Sequence, residues 1–131
     1  MADYTITTTV PRPYEETVAA VRAELAEAGF GVLTEIDLRA TLEAKLGVEV
    51  VPQLILGACR PELAHRALAA EPSIAALLPC NVVVRWVDDT TTVVEAFDPA
   101  AMMSLAGSAG DPLHTVATDA QERLTAALAA L

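Results

Sequence analysis

The stretch that decides the fold is QLILGACRPELAHRALAAEPSIAALLPCNVVVRW, which runs from Gln53 to Trp86 and holds both cysteines and the only tryptophan. Its two ends are apolar runs typical of buried strands, and each cysteine stands in a turn that contains a proline. The pattern predicts a strand, a turn at Cys59, a short helix, a turn at Cys80 and then a second strand. If the two strands are antiparallel neighbours, both cysteines lie at one rim of the sheet, and we expect their Cα atoms within roughly 10 Å of each other.

The residues before this stretch predict two strands and two helices. Alternation of β-branched residues predicts a strand over Tyr4–Val10, and a second strand is expected over Gly31–Ile36. Apolar steps of three and four predict a long helix with the buried face Tyr14, Val18, Val21, Leu25 and Ala28. A short amphipathic helix with Leu38, Leu42 and Leu46 is expected to follow an Asp37 N-cap. Gly29 and Gly47 are expected to end these helices in the left-handed conformation.

The remaining residues predict three more strands and a closing helix. A strand is expected over Val48–Ala58, and Asn81–Val87 and Thr90–Phe97 predict a hairpin. Residues 104–110 predict a loop, after which a helix from Asp111 buries the stripe Leu113, Ala117, Ala120, Leu124, Leu128 and Leu131. The order predicts an α+β, two-layer sandwich in a single domain over residues 1–131. Its curved, mostly antiparallel sheet has about five strands, with two long helices on one face.

The charge of the chain excludes some partners. The formal net charge is -10, from 18 acidic and 8 basic residues. Because nucleic-acid and anionic membrane surfaces attract basic proteins, we expect neither as a partner. The N-terminal MADYTITTTV has no basic region followed by an apolar one, which predicts a cytoplasmic protein whose two cysteines are reduced thiols.

Cys59 is the sharpest candidate for chemistry. It precedes a helix that Pro61 begins, where amide groups and the neighbouring Arg60 favour a thiolate. One hypothesis is a ligand-binding site at this rim formed by Cys59, Arg60, Cys80 and Asn81. The alternative is a thiol-dependent enzyme or redox protein with Cys80 as resolving thiol, while the plainest interpretation makes both cysteines core residues.

Metal and cofactor chemistry have little support in the sequence. Cys59, Cys80, His65 and His114 lack the short spacings of a metal site, and the glycines form no phosphate-binding loop. No cofactor and no metal are therefore expected. Whether the protein is an enzyme stays open.

Three segments of the chain resemble a known family. GFGVLTEID (Gly29–Asp37), LGACRPELA (Leu56–Ala64) and LLPCNVVV (Leu77–Val84) are similar to the prokaryotic domain-of-unknown-function family 302. The likeness continues into Asp98-Pro99 and the methionine at 102 or 103. It implies a TATA-binding-protein-like arrangement of sheet and helices, and no established activity. The family typically has asparagine before the proline where this chain has Arg60.

A sheet of five strands with both long helices on one side leaves its other face uncovered. Apolar positions such as Val82, Val84 and Trp86, or their alternates, then need cover. This predicts self-association as a homodimer, in a small interaction module that either binds a small-molecule ligand or its own copy.

Overall fold

The computed structural model describes residues 2–106 and 111–131 of the chain. The five strands are β1 (Thr5–Val10), β2 (Gly31–Asp37), β3 (Gln53–Cys59), β4 (Cys80–Asp88) and β5 (Thr91–Phe97). The helices are α1 (Tyr14–Glu27), α2 (Leu38–Leu46), α3 (Pro61–Ala70), α4 (Pro99–Ala106) and α5 (Asp111–Ala129). A 3₁₀ helix spans Pro72–Leu77 between α3 and β4.

The strands form one open sheet in the order β1-β5-β4-β3-β2, and every neighbouring pair is antiparallel. The fold is therefore the α+β, two-layer arrangement that the sequence predicts. β2 carries a bulge between Val32 and Thr34, and β4 carries one between Trp86 and Asp88. β1 and β2 are the edge strands among the residues that the structure describes.

The main core lies between the sheet and the two long helices, α1 and α5. Alternate strand residues face inward, and helix residues at steps of three and four close over them. The fully buried members at its centre are Val21, Leu25, Leu56, Val82, Val84, Val94 and Leu124. A second cluster, at the rim where β3 ends and β4 begins, joins α3, α4 and α5 through Leu63, Ala67, Ile74, Cys80, Met102, Leu113, Val116 and Ala120.

The predicted third strand begins too early. β3 starts at Gln53, and residues 47–52 are irregular rather than extended in the sheet. Gly47 ends α2 with φ +67°, and Pro52 has no amide hydrogen to donate to a ladder. Three apolar residues at 48, 50 and 51 imitate a strand in sequence, yet they are exposed or half-buried.

The leucines of α2 do not join the core. Leu38 and Leu42 are half-buried and Leu46 is 69% exposed, so α2 has no buried residue. The helix itself forms, because the Asp37 carboxylate accepts a hydrogen bond from the Ala40 amide at 2.9 Å as the predicted N-cap. In the described residues α2 lies beside β2 and β3, and neither strand buries any of its side chains.

The uncovered face of the sheet carries the alternate residues of β4. Val82 and Val84 are fully buried beneath the helices, and the residues between and after them, Val83, Arg85 and Val87, are half-buried or exposed. The open face is mixed in character and carries the Arg85–Glu95 ion pair. In this pair Arg85 donates a hydrogen bond to the Glu95 carboxylate, and this bond is the main reason why the pKa of Glu95 is lowered.

Several local predictions are confirmed. Gly29 has φ +86° and Gly47 φ +67°, both left-handed. The hairpin between β4 and β5 forms, and the stripe of α5 is buried from Leu113 to Leu128. Of the predicted loop at 104–110, residues 104–106 belong to α4, and the rest lies outside the described residues. In the described ranges, no helix has the length and apolar character needed to cross a membrane.

Candidate ligand site at the cysteine rim

The strand register brings the two cysteines together. Ala58 of β3 pairs directly with Cys80 of β4, and Cys59 is the next residue along the chain. Paired Cα atoms lie about 4.5–5.5 Å apart and successive ones 3.8 Å apart, so the Cα atoms of Cys59 and Cys80 are within roughly 10 Å. Both cysteines are free thiols. The predicted antiparallel return is confirmed.

A small cavity lies behind this rim, beneath α3 and between the sheet and α5. It leaves about 40 Å³ of free space for the centres of water-sized spheres. Apart from the two thiols and Arg60, its walls are apolar; they include Phe30, Leu63, Leu78, Met102, Leu113 and Val116. A water molecule needs about 10–15 Å³ by this measure together with several polar partners, and apolar walls provide few. The cavity therefore suits a small apolar group.

Arg60 is the polar group at the mouth of this cavity. Its side chain is 21% exposed, and its Nε atom is buried without a hydrogen-bond partner. The nearest carboxylate is that of Glu62, whose Oε2 lies 4.0 Å from Nε on a side chain that is 71% exposed. A buried N–H without an acceptor is costly, and for a charged group the cost is larger. Arg60 therefore has unused capacity to bind an anion.

Gly29 makes room for the Arg60 side chain. A Cβ atom at Gly29 would lie 3.0 Å from Arg60 Nη1 and 3.3 Å from Cζ, so the guanidinium rests directly on this glycine. The β2–β3 register explains the approach, because Gly31 pairs with Cys59 and brings the end of α1 beside the start of α3. The sequence did not predict this contact.

The start of α3 adds further donors. Pro61 occupies its first turn, and the N-cap residue Arg60 has no side-chain oxygen to accept from the first amides. The positive end of the helix dipole is thus next to the Arg60 guanidinium, and both favour negative charge in the same place.

The two thiols are not activated. Burial raises the pKa of Cys59, and burial together with the negative charge of a Cys59 thiolate raises the pKa of Cys80 to about 11. Both groups are therefore neutral at physiological pH. A nucleophilic or resolving cysteine needs a lowered pKa, so the environment favours packing and soft apolar contact over thiol chemistry.

The other predicted candidates lie elsewhere. Asn81 pairs with Gly57 and, by strand alternation, faces the opposite side of the sheet from Cys80. It borders a shallow depression on the open face with Tyr4 and Phe97. His65 and His114 are exposed helix residues. Among the described residues, no group of three or more His, Cys, Asp or Glu side chains is placed to hold a metal.

Sequence reasoning missed most of the cavity wall. Leu63 and Met102 belong to helices with an ordinary 3.6-residue pattern of apolar residues. This pattern indicates that they face inward, but it does not show which residues they contact. Phe30, just after α1, also reaches the cavity. Periodicity finds the apolar side of a helix, whereas a cavity requires the packing of several elements.

The fold and the rim define an α+β protein with an open antiparallel sheet and an apolar cavity with one arginine at its mouth. Residues 6–131 match the family described as Domain of unknown function DUF302. The match covers nearly the whole chain, so the protein belongs to this family, and the match extends beyond the segments that carry the resemblance, through α5. No curated protein matches the chain.

A solved structure supports the same assignment. The chain is similar to the crystal structure of an uncharacterized conserved DUF302 protein from Bacillus stearothermophilus, with 30% identity and a TM-score of 0.85. The match covers 98% of both chains. It confirms the fold, and neither it nor the family description assigns an activity.

Proposed function

We propose that the protein is a small-molecule binding module whose ligand joins a short apolar body to one anionic group. The apolar body occupies the cavity beneath α3, and the anionic group pairs with Arg60. The single observation that carries the proposal is Arg60, which lines a cavity with mostly apolar walls and whose buried Nε atom has no hydrogen-bond partner.

The charge of the ligand follows from the donors at the mouth. The Arg60 guanidinium carries several N–H groups in a planar fork that matches a carboxylate. Its weak contact with Glu62, at 4.0 Å, leaves this fork largely free. The uncapped first turn of α3 favours the same sign of charge. A carboxylate therefore satisfies donors that otherwise lack an acceptor.

The size of the ligand follows from the cavity. Free space of about 40 Å³ for the centres of water-sized spheres admits a group of a few heavy atoms. Burial of each methylene is favourable by about 0.8 kcal/mol. The ligand class is thus a short-chain carboxylate, or a larger molecule that ends in one.

The thiol-dependent enzyme is the weaker candidate. Its support was the position of Cys59 before a helix and beside Arg60, which would stabilise a thiolate. Burial instead raises the pKa of both thiols. The cysteines serve the binding module better as neutral, polarisable walls of the cavity.

The experiment compares two ligands that differ in charge, butanoate and butan-1-ol, by titration monitored with amide ¹H–¹⁵N NMR spectra. We expect butanoate to shift the amides of residues 58–67 and to bind at least tenfold more tightly than the alcohol. Arg60→Asn introduces the residue that the family typically carries and should preserve the fold. We expect it to remove the advantage of butanoate, a loss of about 1.4 kcal/mol or more.

Arg66→Asn is the matched control, because Arg66 is exposed on the same helix and the substitution removes the same charge. It should leave both affinities unchanged. Equal affinity of the wild type and Arg60→Asn for butanoate would contradict the proposal. So would shifts that avoid residues 58–67, or an equal loss in Arg66→Asn, which would indicate general electrostatics.

A further inference from the structure

A second surface, along the β2 edge of the sheet and the rim where β2 ends, has no cover in the described chain. It is the continuous segment from Gly31 to Pro52, which contains β2, α2 and the irregular residues that lead into β3; we name it the β2–α2 segment. Of its 22 residues, 16 are exposed, six are half-buried and none is buried. A strand and a helix without one buried residue are unusual in a folded domain, because burial stabilises such elements.

The exposed residues of this segment are markedly apolar. The described residues include nine large hydrophobic side chains that are exposed, and six of them belong to the β2–α2 segment: Val32, Leu33, Ile36, Leu46, Val48 and Val51. Leu33 and Leu46 are the most exposed, at 65% and 69%. Single exposed apolar residues are normal, but a cluster on one segment marks an interaction surface.

The charges of the segment suit contact with an identical surface. Two of its acidic groups are already neutralised, since Arg22 of α1 pairs with Glu35, and Arg39 pairs with Glu49 at 3.0 Å. Lys45, the only lysine of the chain, adds a positive charge to the same segment. Two chains of net charge -10 repel each other, so contact between copies is favoured where charges of both signs are interspersed.

The size of the segment also fits a dimer. A stable interface of standard size uses about 20–30 residues from each partner. The 22 residues of the β2–α2 segment fall in this range. A twofold axis would place the same surface on both sides, as in most homodimers.

The contact is made by side chains rather than by extension of the sheet. The outer edge of β2 is free in the described residues, but the bulge between Val32 and Thr34 disrupts its ladder. Glu35 and Asp37 add charge to the same strand. Bulges and charges are the features by which edge strands avoid pairing with other chains.

We infer that the β2–α2 segment is a homodimer interface, in which the exposed apolar side chains of β2 and α2 pack against the same segment of a second copy. Most of the interface, with α2 and residues 47–52, is at the far rim from the Arg60 cavity; only the start of β2 adjoins that cavity, because Gly31 pairs with Cys59. Dimer formation and ligand binding therefore can be tested separately, and failure of one leaves the other standing.

The test is sedimentation velocity over a hundredfold range of protein concentration. We expect the wild type to form a dimer, and Leu33→Asp and Leu46→Asp each to raise the dissociation constant at least tenfold. Leu68→Asp is the matched control: Leu68 is exposed on α3, outside the segment, and this variant should dimerise like the wild type. Higher salt should tighten the dimer, because it screens the repulsion between acidic copies and strengthens apolar contact.

Amide hydrogen exchange of the wild type tests the same interface without any substitution, so it remains informative if an aspartate variant fails to fold. Amide hydrogen exchange in the β2–α2 segment should slow as the concentration rises, while exchange in α3 stays constant. A wild type that is monomeric throughout the range overturns the inference, as does a dimer that both aspartate variants leave intact. Equal dissociation by Leu68→Asp, or concentration-dependent protection confined to α3, overturns it as well.

Discussion

The helices α2 and α3 occupy equivalent positions between strands, but α3 is packed into a core and α2 is not. Each connects two neighbouring antiparallel strands, and the two are nine and ten residues long. α3 buries Leu63 and Ala67 against α5 and the 3₁₀ helix, whereas α2 buries nothing. The leucine stripe of α2 is, in sequence, the more regular of the two.

This difference shows that an amphipathic pattern predicts a helix and its apolar side, and not the presence of a partner. At the α3 rim the partner is the C-terminal half of the same chain, which encloses a cavity. At the other rim, β2 and β3 lie beside α2 without burying any of its residues. We therefore assign ligand binding to the first rim and association with a second copy to the other.

The largest expected effect comes from truncating one leucine in each helix. Leu63→Ala should lower the free energy of unfolding by about 2–5 kcal/mol, because it removes a buried side chain from a packed cluster. Leu46→Ala should lower it by about 0.5 kcal/mol or less in the monomer, since most of Leu46 is already in water. Urea unfolding at low protein concentration measures both. Similar losses in the two variants would show that α2 is packed after all.

The next effect is a pH dependence located at the cysteine rim. The pKa of Cys80 is raised from 9.0 to about 11, mainly by burial. Below pH 9 both the folded and the unfolded chain keep this proton, so ionisation of Cys80 takes nothing from the stability of the folded protein. Between about pH 9 and 11 the unfolded chain loses the proton and the folded chain keeps it. Stability should therefore fall as pH rises, by up to about 1.4 kcal/mol per pH unit.

Unfolding curves for the wild type and Cys80→Ala between pH 8 and 11 measure this contribution by difference. The variant has a lower stability throughout because of the lost side chain, but a shallower slope. Cys59→Ala should keep most of the wild-type slope. Parallel slopes for the wild type and Cys80→Ala would mean that the Cys80 thiol ionises as easily in the folded protein as in the unfolded one.

The smallest effect compares the two glycines that end α1 and α2. Both have positive φ, so alanine at either position should cost about 1 kcal/mol. At Gly47 there is no atom within 4 Å of the new Cβ, whereas at Gly29 the Arg60 guanidinium must move. We expect Gly29→Ala to weaken butanoate binding and Gly47→Ala to leave it unchanged. Thermal unfolding measures the loss of stability, and the NMR titration measures the affinity for butanoate. Equal affinities of the two variants would show that Arg60 does not take part in binding.

Local signals in the sequence predicted much of the fold. The Asp37 cap, the left-handed stops at Gly29 and Gly47 and the β4–β5 hairpin depend on a few adjacent residues, and all of them form. The candidate site was predicted in part: Cys59, Arg60 and Cys80 meet at one rim, as an antiparallel return requires. Asn81 was grouped with them because it adjoins Cys80, although neighbours in a strand face opposite sides of the sheet.

Periodicity and turn chemistry, which act over a few residues, thus determined the helices, most strands and the common rim of the two cysteines. Tertiary structure alone decided three things: that Arg60 rests on Gly29 with its Nε buried, that the thiols have raised pKa values, and that the leucines of α2 stay outside the core. Each depends on the distance and burial of groups far apart in the chain. Burial is a property of the whole packed molecule, so the same leucine pattern is core in one helix and exposed surface in the other.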